Sequence, residues 1–234
     1  MPWLRRTLLA TVSLLASGVG AVAWTYPALA AAVCAPCAGL ERVTPTLVVE
    51  PSMDAATRAE LLATREAASQ RVADFFGTRS PALDGAVLVA CVTEACDRRL
   101  GGRGPRATAY STPVLTAIRL SPRGLDRTIV AHELAHVAIH ERAGHARQRS
   151  GAFPAWFDEG LAVIVSRDTR YVREGRATRC APGALPSNPH DWAALTGREP
   201  MIYADAACRV LRWLQAHGGR DGLLHALEER RSLP

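Results

Sequence analysis

The stretch His132-Glu133-Leu134-Ala135-His136 lies inside a run of residues with helical periodicity, and it decides how the rest of the chain is interpreted. Because a helix has 3.6 residues per turn, two histidines four residues apart share one face, one turn apart. Their ring nitrogens can then reach one metal ion together. Glu133 points to the edge of that face, where it can contact a water beside the ion without being a ligand. This arrangement is typical of zinc-dependent peptide hydrolysis.

A catalytic zinc site needs a third protein ligand and one open position. The pattern with a further glycine and histidine, HExxHxxGxxH, fails here because those positions hold Ile139 and Arg142. The other option is a glutamate on a following helix, and the motif Trp156-Phe157-Asp158-Glu159-Gly160-Leu161-Ala162 supplies one. The spacing from His136 to Glu159 leaves room for a loop and a returning antiparallel helix.

The two motifs resemble those of the gluzincin metallopeptidases, above all the aminopeptidase-type branch, whose second motif commonly reads WLNEGFA. The resemblance implies a zincin-like fold and one Zn²⁺ per chain, with His132, His136 and Glu159 as ligands and Glu133 as the general base. It covers residues 115–227 in the order of elements, although only the two short motifs are specific. The thermolysin branch is less similar, because its second motif has an aspartate where this chain has Val163.

Further site residues follow less directly. Related enzymes bind the oxyanion with a tyrosine or histidine from a C-terminal helix, and Tyr203 is the catalytic candidate here, although a tyrosine packed in the helical core is an equally good interpretation. Asp158 or Asp205 could orient a ligand histidine through its second nitrogen, while a solvated carboxylate is the plainer interpretation of Asp158. His140 is predicted to line a cleft or to be solvated.

The N-terminal 30 residues are predicted to be a signal peptide or a membrane anchor. Arg5 and Arg6 precede an apolar stretch at residues 8–24, and no charged residue occurs from position 7 to position 40. Ala28-Leu29-Ala30 matches a signal cleavage site, whereas residues 7–24 are also nearly long enough to tether the chain to a membrane. Both alternatives place the rest of the chain outside the cytoplasm.

All six cysteines follow this segment, and an oxidising compartment favours disulfides between them. Sequence proximity suggests the pairs Cys34–Cys37, Cys91–Cys96 and Cys180–Cys208. A redox role for Cys34-Ala-Pro-Cys37 is the rival interpretation, but the strand-then-helix context of such motifs is absent.

Composition limits the possible partners. The chain has 234 residues, 48% of them hydrophobic, and a net charge of +6 in which all 28 basic residues are arginine. These arginines are scattered rather than clustered with aromatic residues, so a nucleic-acid partner is not expected. A peptide or protein substrate is the expected partner. Residues 31–45 are predicted to be a linker, and 46–234 a single metallopeptidase domain.

The expected fold class is α+β, with a small N-terminal β-sheet and a helix packed on it, then the active-site helix, then an all-helical C-terminal half. Residues 97–106 are predicted to form a flexible basic loop, which could touch an acidic substrate but is more simply solvated. Strands are predicted at 46–50, 86–92, 107–110 and 115–120, helices at 53–76, 125–142, 154–167, 204–216 and 222–230, and an irregular segment at 168–187.

Three functions are compatible with these residues. The first is a zinc metallopeptidase that acts outside the cytoplasm. The second is a non-catalytic zincin-fold binding or assembly protein of the cell envelope, but Glu133 would then serve no purpose. The third is a zinc hydrolase of a non-peptide amide. The chain contains no amine-binding carboxylate motif of the aminopeptidase type, so endopeptidase and aminopeptidase activity both remain open.

Overall fold

The structure of the chain, a computed structural model, describes residues 24–112, 114–144, 147 and 153–229. The predicted anchor therefore lies outside the described residues, apart from Trp24. The strands are β1 Glu41–Thr44, β2 Leu47–Val49, β3 Val87–Ala90, β4 Ala107–Ser111, β5 Thr116–Leu120, β6 Val172–Arg173 and β7 Arg176–Ala177. The helices are α1 Pro27–Val33, α2 Ala55–Phe76, α3 Pro81–Gly85, α4 Glu94–Arg99, α5 Arg127–Ala143, α6 Ala155–Ser166, α7 Pro189–Thr196, α8 Ile202–Ala216 and α9 Gly219–Glu228. This arrangement confirms the predicted α+β class.

The first five strands form one mixed sheet in the order β1-β2-β3-β5-β4. The three inner strands are parallel, and the outer strands β1 and β4 run antiparallel to their neighbours. Helix α2 makes the crossover between β2 and β3. β4 forms one edge of the sheet, and among the described residues it pairs only with β5.

Both faces of the inner strands are buried, which explains why β3 is a continuous apolar run and why every residue of β5, including Arg119, is buried. Leu88 and Ile118 face the large core that the sheet shares with α2, α5 and α6. Val89 and Ala117 face a smaller core on the opposite side, which α1 and the segment up to Leu40 cover.

Residues 31–45, predicted to be a linker, are packed into the domain. Ala31, Ala32 and Ala35 are buried in the smaller core, and β1 pairs with β2. The small residues that suggested a linker instead allow α1 to approach the sheet closely. The predicted cleavage motif Ala28-Leu29-Ala30 lies within α1, and Ala28 is fully buried.

The C-terminal half is mostly helical, as expected. α5 packs against α2 and α6, and α6 packs against α8. All three predicted disulfides are present, Cys34–Cys37, Cys91–Cys96 and Cys180–Cys208. Three disulfides indicate an oxidising, extracytoplasmic environment.

Several short elements differ from the predictions. The predicted loop 97–106 begins inside α4, the predicted irregular segment contains the β6–β7 hairpin, and α7 was not predicted. Within the described part of the chain, no helix combines the length and apolar character that crossing a membrane requires.

Candidate metal centre

Helix α5 carries the HExxH motif, and Asp126 caps its N-terminus. The Asp126 carboxylate accepts hydrogen bonds from the backbone N–H groups of Thr128 and Ile129, at 2.9 and 3.1 Å, which is a standard N-cap. Gly144 ends the helix with a positive φ of 87°. The helix presents His132, at its partly exposed edge, and the buried His136 toward α6.

Helix α6 brings Glu159 to the two histidines, as the sequence predicts. Glu159 Oε2 lies 3.2 Å from His132 Nε2 and 3.6 Å from His136 Nε2, and the two histidine nitrogens are 3.2 Å apart. Ligands about 2.0–2.1 Å from a tetrahedral zinc lie about 3.3 Å from one another. The three donor atoms therefore have the separations that a single ion of this kind requires, and the trio can hold a metal ion.

The electrostatics of this trio favour a cation. Burial alone raises the pKa of Glu159, but the charge of His136 and hydrogen bonding with His132 lower it to about 2. Burial alone lowers the pKa of His136, yet the carboxylates of Asp158 and Glu159 raise it well above its ordinary value. Positive charge is thus stabilised at the place where the three donors meet.

Asp158 is buried, in contrast to its plainer interpretation as a solvated carboxylate. It lies 2.9 Å from His136 Nδ1 and 2.6 Å from His140 Nε2. These are hydrogen-bond distances, shorter than the spacing of two ligands on one zinc. Asp158 is therefore placed to orient His136 from behind. His140 is likewise buried rather than solvated, and it lines a cavity of about 320 Å³ beside the site, which agrees with the cleft-lining alternative of the prediction.

Asp205, the alternative orienting residue, forms no hydrogen bond or ion pair with any histidine that the structure describes. Its carboxylate accepts hydrogen bonds from Arg179, at 2.6 Å from Nη2, and from the backbone N–H of Ala181 at 2.7 Å. It therefore holds the segment after β7 against α8. A third cluster of potential ligands, Glu50 with Cys91 and Cys96, offers no thiolate because its cysteines form a disulfide.

Glu133 is buried beside the trio but is not one of the converging donors. Burial raises its pKa, and the nearby His132 and His136 offset this only in part. It lines both cavities that flank the site, of about 640 and 320 Å³. A buried carboxylate with a raised pKa is a stronger base than a solvated one, which suits a group that accepts a proton.

Tyr203 on α8 lies over His132, with ring centroids 6.2 Å apart, and it also lines both cavities. Burial and the charge of Glu159 raise its pKa well above the ordinary value, so its hydroxyl stays protonated and can donate. Its ring stacks on Tyr171 at 5.2 Å and meets Trp192 edge-on at 5.4 Å.

Gly160, next to Glu159, sets the position of α8. A Cβ at this residue would lie 2.6 Å from the backbone carbonyl of Ala206, so only glycine allows the two helices to come this close. Because Ala206 follows Tyr203 by three residues, this contact also positions the tyrosine over His132.

The remaining residues around the site could not be assigned from the sequence. Tyr171 precedes a short hairpin and Trp192 lies in an unpredicted helix, and neither belongs to a motif. For His140 a signal existed, since it continues the spacing of His132 and His136 by one more turn.

No family model matches the chain, and no curated protein and no solved structure was found to be similar to it.

Proposed function

We propose that the chain is a zinc metallopeptidase that hydrolyses peptide bonds outside the cytoplasm. The observation that carries this proposal is the mutual spacing of 3.2, 3.2 and 3.6 Å among the donor atoms of His132, His136 and Glu159. The three disulfides favour the extracytoplasmic location.

The donor set favours zinc among the divalent cations. Two imidazoles and one carboxylate, with room left for a fourth ligand, form the ligand type of catalytic zinc sites, whereas Mg²⁺ and Ca²⁺ take oxygen ligands. When bound, zinc supplies Lewis acidity, which makes water acidic near neutral pH and polarises a carbonyl group. The gluzincin resemblance rests on the same residues, and membership of that family is part of this proposal.

Glu133 would act as the general base. Its carboxylate takes a proton from the attacking water as the new C–O bond forms at the peptide carbonyl. It then delivers this proton to the nitrogen of the leaving amine as the C–N bond breaks. The raised pKa of the buried carboxyl suits the first step, because a more basic group accepts the proton of the water more readily.

Tyr203 would stabilise the negative charge that develops on the carbonyl oxygen. Its hydroxyl stays protonated, and the residue lines the same cavities as Glu133. A donor that is already oriented needs no reorganisation during the reaction, which makes such contacts effective.

The edge of the sheet supports a peptide as the substrate. Ala107, Thr108 and Ala109 of β4 line the smaller cavity together with His136 and Glu159. Within the described residues, the side of β4 away from β5 is unpaired. An extended peptide can therefore add to this edge through its backbone and bring one bond to the metal centre.

A Glu133→Gln variant tests the proposal. The amide cannot accept the proton, so we expect cleavage of a proteome-derived peptide library, read by mass spectrometry, to fall by a factor of about 10²–10⁴ while zinc is retained. Glu60→Gln, an exposed change on α2, is the matched control and should cleave normally. Unchanged cleavage by the Glu133 variant would show that Glu133 is not the general base. A wild type that holds zinc but cleaves no peptide would favour the non-catalytic envelope protein.

A further inference from the structure

We infer that the cleft beside the metal centre selects peptides by a carboxylate group, and that Arg103 and Arg106 bind this group. The inference names the substrate class of the proposed peptidase and rests on that function for the peptide nature of the ligand. It starts from the larger cavity, of about 640 Å³, which extends from His132, Glu133 and Tyr203 to the segment 103–107.

The balance of charge on the wall of this cavity is positive. Four arginines line it, Arg103, Arg106, Arg123 and Arg170, against the carboxylates of Glu133 and Asp168. Arg170 forms an ion pair with the buried Asp168, with 2.5 Å between Nη2 and Oδ2, so these two charges cancel. Among the described residues, Arg123 forms an ion pair with Glu94 alone, at a long distance of 3.9 Å.

The guanidinium groups of Arg103 and Arg106 are unpaired within the described part of the chain. Both residues are exposed, and neither side chain forms a hydrogen bond or an ion pair with any residue in the described part of the chain. Five unused donors on each planar group can bind a carboxylate through two parallel hydrogen bonds.

The segment that carries these two arginines is held by its backbone. The carbonyl oxygens of Gly104 and Pro105 accept hydrogen bonds from Arg123 and Arg119, at 2.9 and 3.2 Å. The carbonyl oxygen of Arg106 accepts one from Ser121 N–H at 2.9 Å. The predicted loop is thus anchored next to the cavity, which lowers the entropic cost of presenting two cations to a ligand.

Two of the residues that hold segment 103–106, Arg119 and Ser121, are buried. Arg119 is 1% exposed and forms an ion pair with the buried Asp97 on the smaller-core side of the sheet. Gly124 also allows close contact, because a Cβ there would lie 2.2 Å from the carbonyl oxygen of Arg106. Buried residues therefore fix a surface segment, while the charges of Arg103 and Arg106 on this segment stay unpaired. This combination is expected of a binding surface.

Binding to the Glu133→Gln protein tests this inference without catalysis. Peptides of one length, acetylated at the N-terminus and amidated at the C-terminus, would carry either glutamate, glutamine or lysine pairs. A fourth peptide, neutral but with a free C-terminus, separates a terminal carboxylate from a side-chain carboxylate. We expect fluorescence anisotropy to give about tenfold tighter binding for a carboxylate-bearing peptide than for the glutamine peptide, and a smaller difference at high salt.

The arginine variants identify the groups responsible. R103Q/R106Q should abolish the preference, and R106E should shift it toward the lysine peptide. R176Q/R212Q removes two exposed arginines that do not line either cavity and should leave the preference intact.

Two results overturn the inference: equal binding of all four peptides, or an unchanged preference in R103Q/R106Q. If the wild type cleaves peptides but binds them without preference, the peptidase proposal stands and this inference fails. If the preference is present but the wild type cleaves no peptide, this inference stands and the peptidase proposal fails.

Discussion

Asp158 joins two histidines of one helix, and its contacts explain why His136 can serve as a ligand. One carboxylate oxygen lies 2.9 Å from His136 Nδ1 and the other 2.6 Å from His140 Nε2. The first contact fixes the ring of His136, so that its Nε2 points to His132 and Glu159. The second contact fixes Asp158 itself, because a carboxylate held at both oxygens cannot rotate freely.

Replacing His140 by alanine should therefore weaken metal binding without removing a ligand. Loss of a partner that orients a ligand typically costs a factor of about 10–100 in metal affinity. Competition with a chromophoric chelator measures the zinc dissociation constant. His225→Ala on α9, where the histidine is exposed, is the control and should bind zinc normally. If the His140 variant binds zinc as tightly as the wild type, Asp158 does not depend on this contact.

Helical periodicity was sufficient to place His132 and His136 on one face, whereas Glu159 was predicted from its motif and the gluzincin resemblance, and the structure brings the three donor atoms together. Spacing also placed His140 on this face, but it did not predict the contact of His140 with Asp158 or the fixed position of the arginines of segment 103–106. The role of His140 depends on a carboxylate from another helix, and that of the arginines on backbone anchors from β5 and the loop after it. Neither is encoded in local periodicity.

At the scale of elements, the crossing of α6 and α8 determines the shape of the centre. Gly160 lies where the backbone of Ala206 would meet a Cβ at 2.6 Å. Glu159 is adjacent to this crossing on α6, and Tyr203 precedes it by about one turn on α8. A single close approach of two helices thus sets the position of a candidate metal ligand and of the candidate oxyanion donor.

Gly160→Ala should consequently destabilise the fold and impair the site together. The added methyl group forces the helices apart, and overpacking of this kind costs about 1–3 kcal/mol in the free energy of unfolding. The midpoint of urea unfolding measures this loss. Gly85→Ala is the matched control, because a Cβ there has no atom within 4 Å and should change the midpoint little. Equal midpoints for both variants would show that the crossing tolerates a side chain.

The long elements could be predicted from the sequence, whereas the short ones could not. α2 and α5 have clear caps and extended periodicity, so their predicted bounds differ from the observed ones by two residues or fewer. α1, β1 and α7 are short, and their places depend on tertiary packing. The Ala-rich residues 31–35 show this most clearly, since the same composition suits a linker and a helix that packs closely on a sheet.

At the scale of the whole molecule, Asp205 links a long irregular segment to the helical core. Arg179, Ala181 and the disulfide Cys180–Cys208 all join this segment to α8 around one buried carboxylate. Burial by itself raises the pKa of Asp205, but hydrogen bonds from Arg179 and from the Ala181 N–H lower it below its ordinary value. The ionised form is thus favoured by folding.

Asp205→Asn should lower stability in a pH-dependent way. A carboxyl group whose pKa is lower in the folded state stabilises the fold above the unfolded pKa, about 3.9, and this contribution is lost as the pH falls through the folded value. We expect the variant to be less stable by about 1.5–3 kcal/mol at pH 7 and the difference to shrink below pH about 4.

Urea unfolding at several pH values, with a chelator present, measures this difference. Asp221→Asn is the control, because its side chain is 90% exposed, and it should show no such dependence. A difference between wild type and the Asp205 variant that stays constant from pH 7 to pH 3 would contradict the assignment.

X-ray absorption at the zinc edge, on protein equilibrated with one equivalent of zinc and then dialysed, tests the metal centre most directly. The three converging donors predict a four-coordinate shell of nitrogen and oxygen at about 2.0–2.1 Å, with the outer-shell scattering of two imidazoles and no sulfur at about 2.3 Å. A six-oxygen shell, a sulfur ligand or loss of the zinc on dialysis would contradict a centre formed by His132, His136 and Glu159.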